Sequence, residues 1–279
     1  MTIHRFEQHA MATAFEVILA GDDALYAAQA AEALFSEIQR LEDELSRFRP
    51  TSDIWRLAQL RAGESLKVSL AVWDCLSLAK AVHAETAGAF DITVGPLMHL
   101  WRAEDGSLRE PDPELLEKAR GAVGSHLFDL DEDDFRVTVH ADHMVFDLGG
   151  LGKGYALDQA AVLLGDWGFA DALLNAGDST LLALGNAPGE QGWTITLAEG
   201  ARALNLQDAA VSGSGFQIKG AHLMDPRSLR PMAVRPQRSF AQAPAAALSD
   251  ALSTAFAVLE PEAIQALCAR HPGVAWLEV

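Results

Sequence analysis

The chain has 279 residues, 49% of them hydrophobic and 22% charged, enough to bury a large core in one big domain or two small ones. Its 21 Lys and Arg against 39 Asp and Glu give a formal net charge of -18, which repels a nucleic-acid backbone or an anionic membrane surface and sets both aside as partners. Cys75 and Cys268 lie far apart in apolar, helix-like stretches and form neither a metal pair nor a disulfide framework. Glu16 interrupts the one apolar run near the start, and no other stretch approaches the ~20 apolar residues of a membrane span. As written, the chain reads as cytoplasmic, or as periplasmic if a leader has been removed.

In chain order, residues 13 to 20 read as a strand. Leu34, Ile38, Leu41, Leu45 and Phe48 then recur at spacings of four and three, one stripe of a helix that stops before Pro50. A second amphipathic helix carries Val72, Leu76, Ala79 and His83 and ends at Gly88, followed by a loop from Ala89 to Trp101. A short helix over 112 to 120 is entered through Pro111-Asp112-Pro113. Leu127 to Asp147 reads as two or three short strands with polar turns. A glycine-rich turn at 149 to 154 opens a helix to about Gly165. Strands follow at 171 to 174, 180 to 184, 193 to 198 and 203 to 206. A loop then runs from Val211 to about Gln242, and helices at about Leu248 to Leu259 and Pro261 to Ala269 and a strand at Val274 to Val279 finish the chain. Helices and strands mix without the alternation of a doubly wound sheet, so the expected class is α+β, a single compact domain over residues 1–279 with helices packed on largely antiparallel strands.

Four stretches carry possible chemistry. Asp147-Leu-Gly-Gly-Leu-Gly-Lys153-Gly-Tyr-Ala-Leu-Asp158 runs from a strand end through glycines into a helix start, where free amides and the helix dipole suit a phosphate and Lys153 adds a point charge. It is not a Walker A loop, because Gly154 stands where Ser or Thr must bind Mg²⁺, nor a dinucleotide fingerprint, because Tyr155 takes the place of the third glycine. Such a turn also occurs for structural reasons alone. Asp250 and Thr254, four apart, share one helical face and offer two hard oxygens of the kind Mg²⁺ accepts, unless Ser249 or Asp250 is merely a helix N-cap. Asp91, in Gly88-Ala-Phe-Asp91-Ile-Thr-Val-Gly-Pro96, either reads a ligand edge or caps its own turn. His222, in His222-Leu-Met-Asp225-Pro226-Arg227, is either an acid/base histidine or one held by Asp225 in a loop.

Taken in order, and with Met11-Ala12-Thr13, Arg47-Phe48, Leu173-Leu-Asn-Ala-Gly-Asp178 and Val211-Ser-Gly213, these stretches resemble the ApbE family of FAD:protein FMN transferases over nearly the whole chain. The resemblance implies an α+β, T-fold-like domain that takes FAD and Mg²⁺ and passes FMN to a Ser or Thr hydroxyl of an acceptor protein, releasing AMP. It implies that Met11, the segment Ala89, Phe90 and Asp91, Asp147 and Lys153 contact FAD. Asp250 and Thr254 would hold Mg²⁺ with the backbone carbonyl of Gly150, Lys153 would position the transferred phosphoryl, and His222 would be the base. Water in place of the acceptor would make the protein an FAD pyrophosphatase, and loss of turnover would leave an FAD-binding protein. One departure stands out: Leu229 replaces the glycine of the family's turn after Asp225-Pro226, and a leucine there is expected to change the loop, because the position needs a positive φ.

Overall fold

The computed structural model describes residues 1–103, 107–177, 179–197, 203–214, 223–232 and 239–278. Strands β1 (Thr2–Ala10) and β2 (Thr13–Gly21) form a hairpin whose two-residue loop, Met11-Ala12, has φ of +48° and +59°. Loops of this length favour the left-handed region at both positions, usually with Asn or Gly, so Met11 and Ala12 carry backbone strain of order 1 kcal/mol each. Helix α1 (Ala24–Leu45) begins at Asp23, whose carboxylate accepts from the amides of Leu25 and Tyr26, and it buries Ala27, Ala30, Leu34, Ile38 and Leu41 on one stripe. It ends at Leu45. Phe48, expected on that stripe, is instead 75% exposed beyond the helix end.

Helix α2 (Asp53–Leu57) and strand β3 (Ser65–Lys67) lead into α3 (Leu70–Glu85), capped by Ser69. The expected loop from 89 to 101 contains helix α4 (Gly95–Trp101), which Pro96 opens in the first turn, where its missing N–H has no partner to lose. Next come α5 (Pro113–Arg120), β4 (Phe128–Asp131), β5 (Arg136–Val139) and α6 (Gly152–Asp166). They precede β6 (Ala172–Ala176), β7 (Thr180–Leu184), β8 (Trp193–Ile195), β9 (Leu204–Leu206) and β10 (Ala209–Ser214). The short β11 (Met224–Asp225) and β12 (Arg230–Pro231), then β13 (Ser239–Ala243), α7 (Ala246–Val258), α8 (Pro261–Arg270) and β14 (Ala275–Glu278), end the chain.

The main sheet has seven strands in the order β1-β2-β6-β7-β10-β13-β14, and each neighbouring pair is antiparallel. The antiparallel α+β expectation holds. Two of its strands, β10 and β13, fall in the stretch read as a loop, and β1 was not foreseen. Their sequences, AAVSGS, SFAQA and TIHRFEQHA, lack the β-branched alternation that marks a strand, so pairing and packing decide them. Strand period places Phe15, Val17, Leu19, Leu174 and Leu182 on the face covered by α1, α6 and α7. Ile18, Ala183, Val211 and Phe240 lie on the other face, with Trp193, Ile195 and Leu206 of the β8-β9 hairpin.

A smaller cluster of Leu97, Ala119, Val123, Met224 and Leu229 ties α4 and α5 to the β11-β12 turn. Leu229 does take a positive φ, +59°, contrary to the expectation that the loop must change. Its side chain is 4% exposed, and its carbonyl accepts from Trp101 Nε1 at 2.9 Å, so burial and a hydrogen bond offset the strained backbone.

Candidate active site

Two helices meet at the glycine turn. Cβ on Gly154 would lie 2.2 Å from the carbonyl oxygen of Ala246, so only glycine lets the start of α6 touch the start of α7. One turn further along, Asp250 of α7 is 3% exposed, and its Oδ2 accepts from Gly154 N at 3.4 Å and lies 3.5 Å from Lys153 Nζ. Lys153 also donates to Gly149 O at 3.1 Å. Asp250 is therefore no N-cap: α7 starts at Ala246, Ser249 Oγ donates to Ala241 O, and Asp250 faces the mouth of the glycine turn.

Gly150 is wedged between two of the expected site residues. Cβ placed on it would be 2.8 Å from Thr254 Oγ1 and 3.4 Å from Phe90 Cε2. The Thr254 hydroxyl lies 3.3 Å from Ser214 Oγ, which is itself 2.8 Å from Ser253 Oγ. A carboxylate, several hydroxyls and a turn carbonyl are hard oxygen donors. Among the described residues no group of three or more His, Cys, Asp or Glu could enclose a metal alone. This donor set fits an ion such as Mg²⁺, which keeps waters and substrate phosphates in its shell, rather than an all-protein cage. Ser253 was not singled out from sequence, although it stands three residues after Asp250 on the same helix.

A cleft open to solvent lies beside this junction, lined among others by Met11, Leu45, Phe48, Asp147, Gly149 and Lys153. The strained Met11-Ala12 loop forms part of its wall, and backbone strain of this kind concentrates at ligand sites. Asp147 Oδ1 accepts from Gly149 N at 2.8 Å, and its Oδ2 lies 3.4 Å from Arg47 Nε. The Arg47 guanidinium in turn sits 4.3 Å from the centroid of the Phe48 ring, leaving an exposed aromatic on the cleft wall. Burial and the Arg47 charge hold the nearby His99 imidazole below its ordinary range, with Asp147 pulling the other way.

The segment Ala89, Phe90 and Asp91 is buried behind the turn and runs beside it, since Asp147 N donates to Ile92 O at 2.6 Å. Asp91 Oδ1 accepts from Thr93 N and Thr93 Oγ1, its Oδ2 accepts from Ser125 N, and that oxygen lies 3.1 Å from His83 Nδ1, which is also 3.0 Å from Phe90 O. Burial pushes this carboxyl up, but the hydrogen bonds from His83 and Thr93 outweigh it and hold the group below its usual range. The hydrogen bond to Asp91 raises His83 in return. The Asp91 side chain thus serves its own turn, and the structure brings Met11, Phe90, Asp147, Gly150, Lys153, Asp250 and Thr254 around one junction. His222 lies outside the described residues. Asp225, three residues on, pairs with Arg227 Nε at 2.9 Å.

The family model described as "ApbE family" matches residues 11–277. The FAD:protein FMN transferase of Salmonella typhimurium is 28% identical, with 95% of this chain and 81% of that protein covered. The enzyme of the same name from Escherichia coli K12 is 25% identical, over 92% of this chain and 78% of that one. Among solved structures, the ApbE protein of Thermotoga maritima is 26% identical with a TM-score of 0.85, covering 100% of this chain and 94% of that one. The apo flavinyl transferase ApbE of Pseudomonas stutzeri, 24% identical, shares the fold with a TM-score of 0.86 over 100% of this chain and 94% of that one. With the glycine turn, the Asp250/Thr254 helix and the cleft in place, the chain belongs to the ApbE family.

Proposed function

We propose that this protein is an Mg²⁺-dependent FAD:protein FMN transferase that attaches FMN to a Ser or Thr hydroxyl of an acceptor protein and releases AMP. The observation that carries the reading is the packing of Gly150 against Thr254 at the point where Lys153 meets the buried carboxylate of Asp250, on the edge of the cleft.

In this reading the flavin nucleotide occupies the cleft between Met11, Phe48 and Asp147, with the Ala89, Phe90 and Asp91 segment behind it and its pyrophosphate against the glycine turn. The amides at the start of α6 and the Lys153 ammonium hold the phosphates, where a helix N-terminus favours negative charge. Asp250 and Thr254, with the Gly150 carbonyl and the adjacent Ser253 hydroxyl, would hold Mg²⁺, which neutralises charge on the pyrophosphate as it breaks. The acceptor oxygen attacks the FMN phosphorus, the bond to the AMP oxygen breaks, and the hydroxyl proton passes to a base, for which His222 is the candidate. AMP leaves with the other phosphate, and the flavin stays on the acceptor as a phosphoester.

The cleft is open to solvent, which favours one second reading, water as acceptor, giving FMN and AMP. In-gel flavin fluorescence after incubating FAD, Mg²⁺ and an extract of the source cells with the protein tests both. A fluorescent protein band that needs the wild-type chain and is missing with Asp250→Ala supports transfer. Free FMN and AMP with no labelled band supports hydrolysis.

A further inference from the structure

Helix α7, which carries Asp250, Ser253 and Thr254, begins without a capping side chain of its own, since its N-cap residue is Ala245. Its first two amides are capped from another helix: Ala246 N donates to Asp158 Oδ1 at 2.7 Å and Ala247 N to Asp158 Oδ2 at 2.9 Å. Asp158 belongs to α6, the helix opened by the glycine turn. An ordinary N-cap fixes only its own helix. A carboxylate that spans two amides of a neighbouring helix also fixes the separation and rotation of the pair.

We propose that Asp158 is a positioning residue of the cation site, clamping α7 onto α6 so that the oxygens of Asp250 and Thr254 stand in register with the carbonyl of Gly150. The inference rests on the reading of those oxygens as cation ligands. Two contacts make the register tight. The backbones of Gly154 and Ala246 touch, leaving no room for a Cβ, and Gly154 N reaches Asp250 Oδ2 at 3.4 Å. Burial pushes the Asp158 carboxyl above the usual range against the pull of the two amides. Outer groups that orient metal ligands typically affect metal affinity by 10- to 100-fold when removed.

The test is a Mn²⁺ titration followed by electron paramagnetic resonance on the full chain with FAD and no acceptor, alongside thermal melting and FAD binding by flavin fluorescence. Asp158→Ala is expected to weaken Mn²⁺ binding roughly tenfold or more and to lower Tm, while FAD affinity measured without metal stays within about twofold of wild type. Asp158→Asn keeps one oxygen for one amide and is expected to fall between; it serves if the alanine variant does not fold. The deciding variant is Asp158→Ala with Ala245→Asp, which gives α7 a cap from its own N-cap position, a residue already extended, with φ of -102° at the comparable Asp23 cap and -122° here. It should recover Tm but not Mn²⁺ affinity, because the new cap does not tie α7 to α6. Wild-type Mn²⁺ affinity in Asp158→Ala, or its recovery together with Tm in the double variant, overturns the proposal. If wild type binds no more Mn²⁺ than Asp250→Ala does, the cation-site reading fails first and the clamp with it.

Discussion

Lys153 Nζ stands 3.5 Å from Asp250 Oδ2, and both side chains are largely withdrawn from water. A cation from the glycine turn therefore rests against the carboxylate that the metal reading needs. If Lys153 holds the phosphates as proposed, Lys153→Met removes a charge-assisted contact worth about 1.5–3 kcal/mol, or roughly 10- to 100-fold. We expect kcat/KM for FAD to fall by that factor, measured as AMP release. An unchanged value would place Lys153 outside the phosphate site.

Two glycines of α6 separate packing from propensity. Gly154→Ala puts a methyl 2.2 Å from Ala246 O and 2.7 Å from Ala247 Cα, which must push α7 away. A loss of about 1–3 kcal/mol or more is expected. Gly165→Ala meets nothing within 4 Å and should stabilise the same helix by about 0.5–1 kcal/mol. Denaturant melts of the two variants should move in opposite directions.

The His83–Asp91 pair sets a pH signature. Asp91 is held below the ordinary carboxyl value of 3.8, so its contribution is present above that pH and is lost as pH falls through the folded-state value. His83 is raised above 6.5, so its contribution is complete below 6.5 and is lost as pH rises through its folded-state value. Both act fully between those limits. Wild type should therefore exceed His83→Gln in Tm by more at pH 5.5 than at pH 8.5; an equal gap at both contradicts the pairing.

Leu229 poses two opposed effects. Leu229→Gly relieves a left-handed leucine, worth about 1–2 kcal/mol, but empties a side chain 4% exposed in the α4–α5 cluster. Loss of a buried leucine side chain costs about 2–5 kcal/mol. The cavity outweighs the strain, and net destabilisation in a urea melt is the expected result.

Local signals were legible in the sequence, and long-range ones were not. The α1 stripe, the glycine turn and the four-residue spacing of Asp250 and Thr254 are helix-period facts that a chain carries in itself. Strands β10 and β13 are not: their Ala, Ser and Gly residues become strands because partners on both sides supply hydrogen bonds and packing. Phe48 reads as core by spacing, yet α1 ends at Leu45 and leaves its ring on the cleft. Asp158 stands in sequence only as the last residue of the glycine-turn motif, and nothing local tells that it caps a helix 88 residues away. Ser253 was within reach, being one position before Thr254 and on the same helix turn.

The measurement that bears most directly on the metal-assisted transfer is the ratio of AMP released to flavin bound on protein, followed by chromatography with FAD, Mg²⁺ and a flavinylated-competent acceptor, in wild type, with chelator, and in Asp250→Ala. Equimolar AMP and protein-bound flavin in wild type, with both products lost on chelation and in the variant, is the predicted result. AMP without protein-bound flavin, or equal yields from Asp250→Ala, contradicts it.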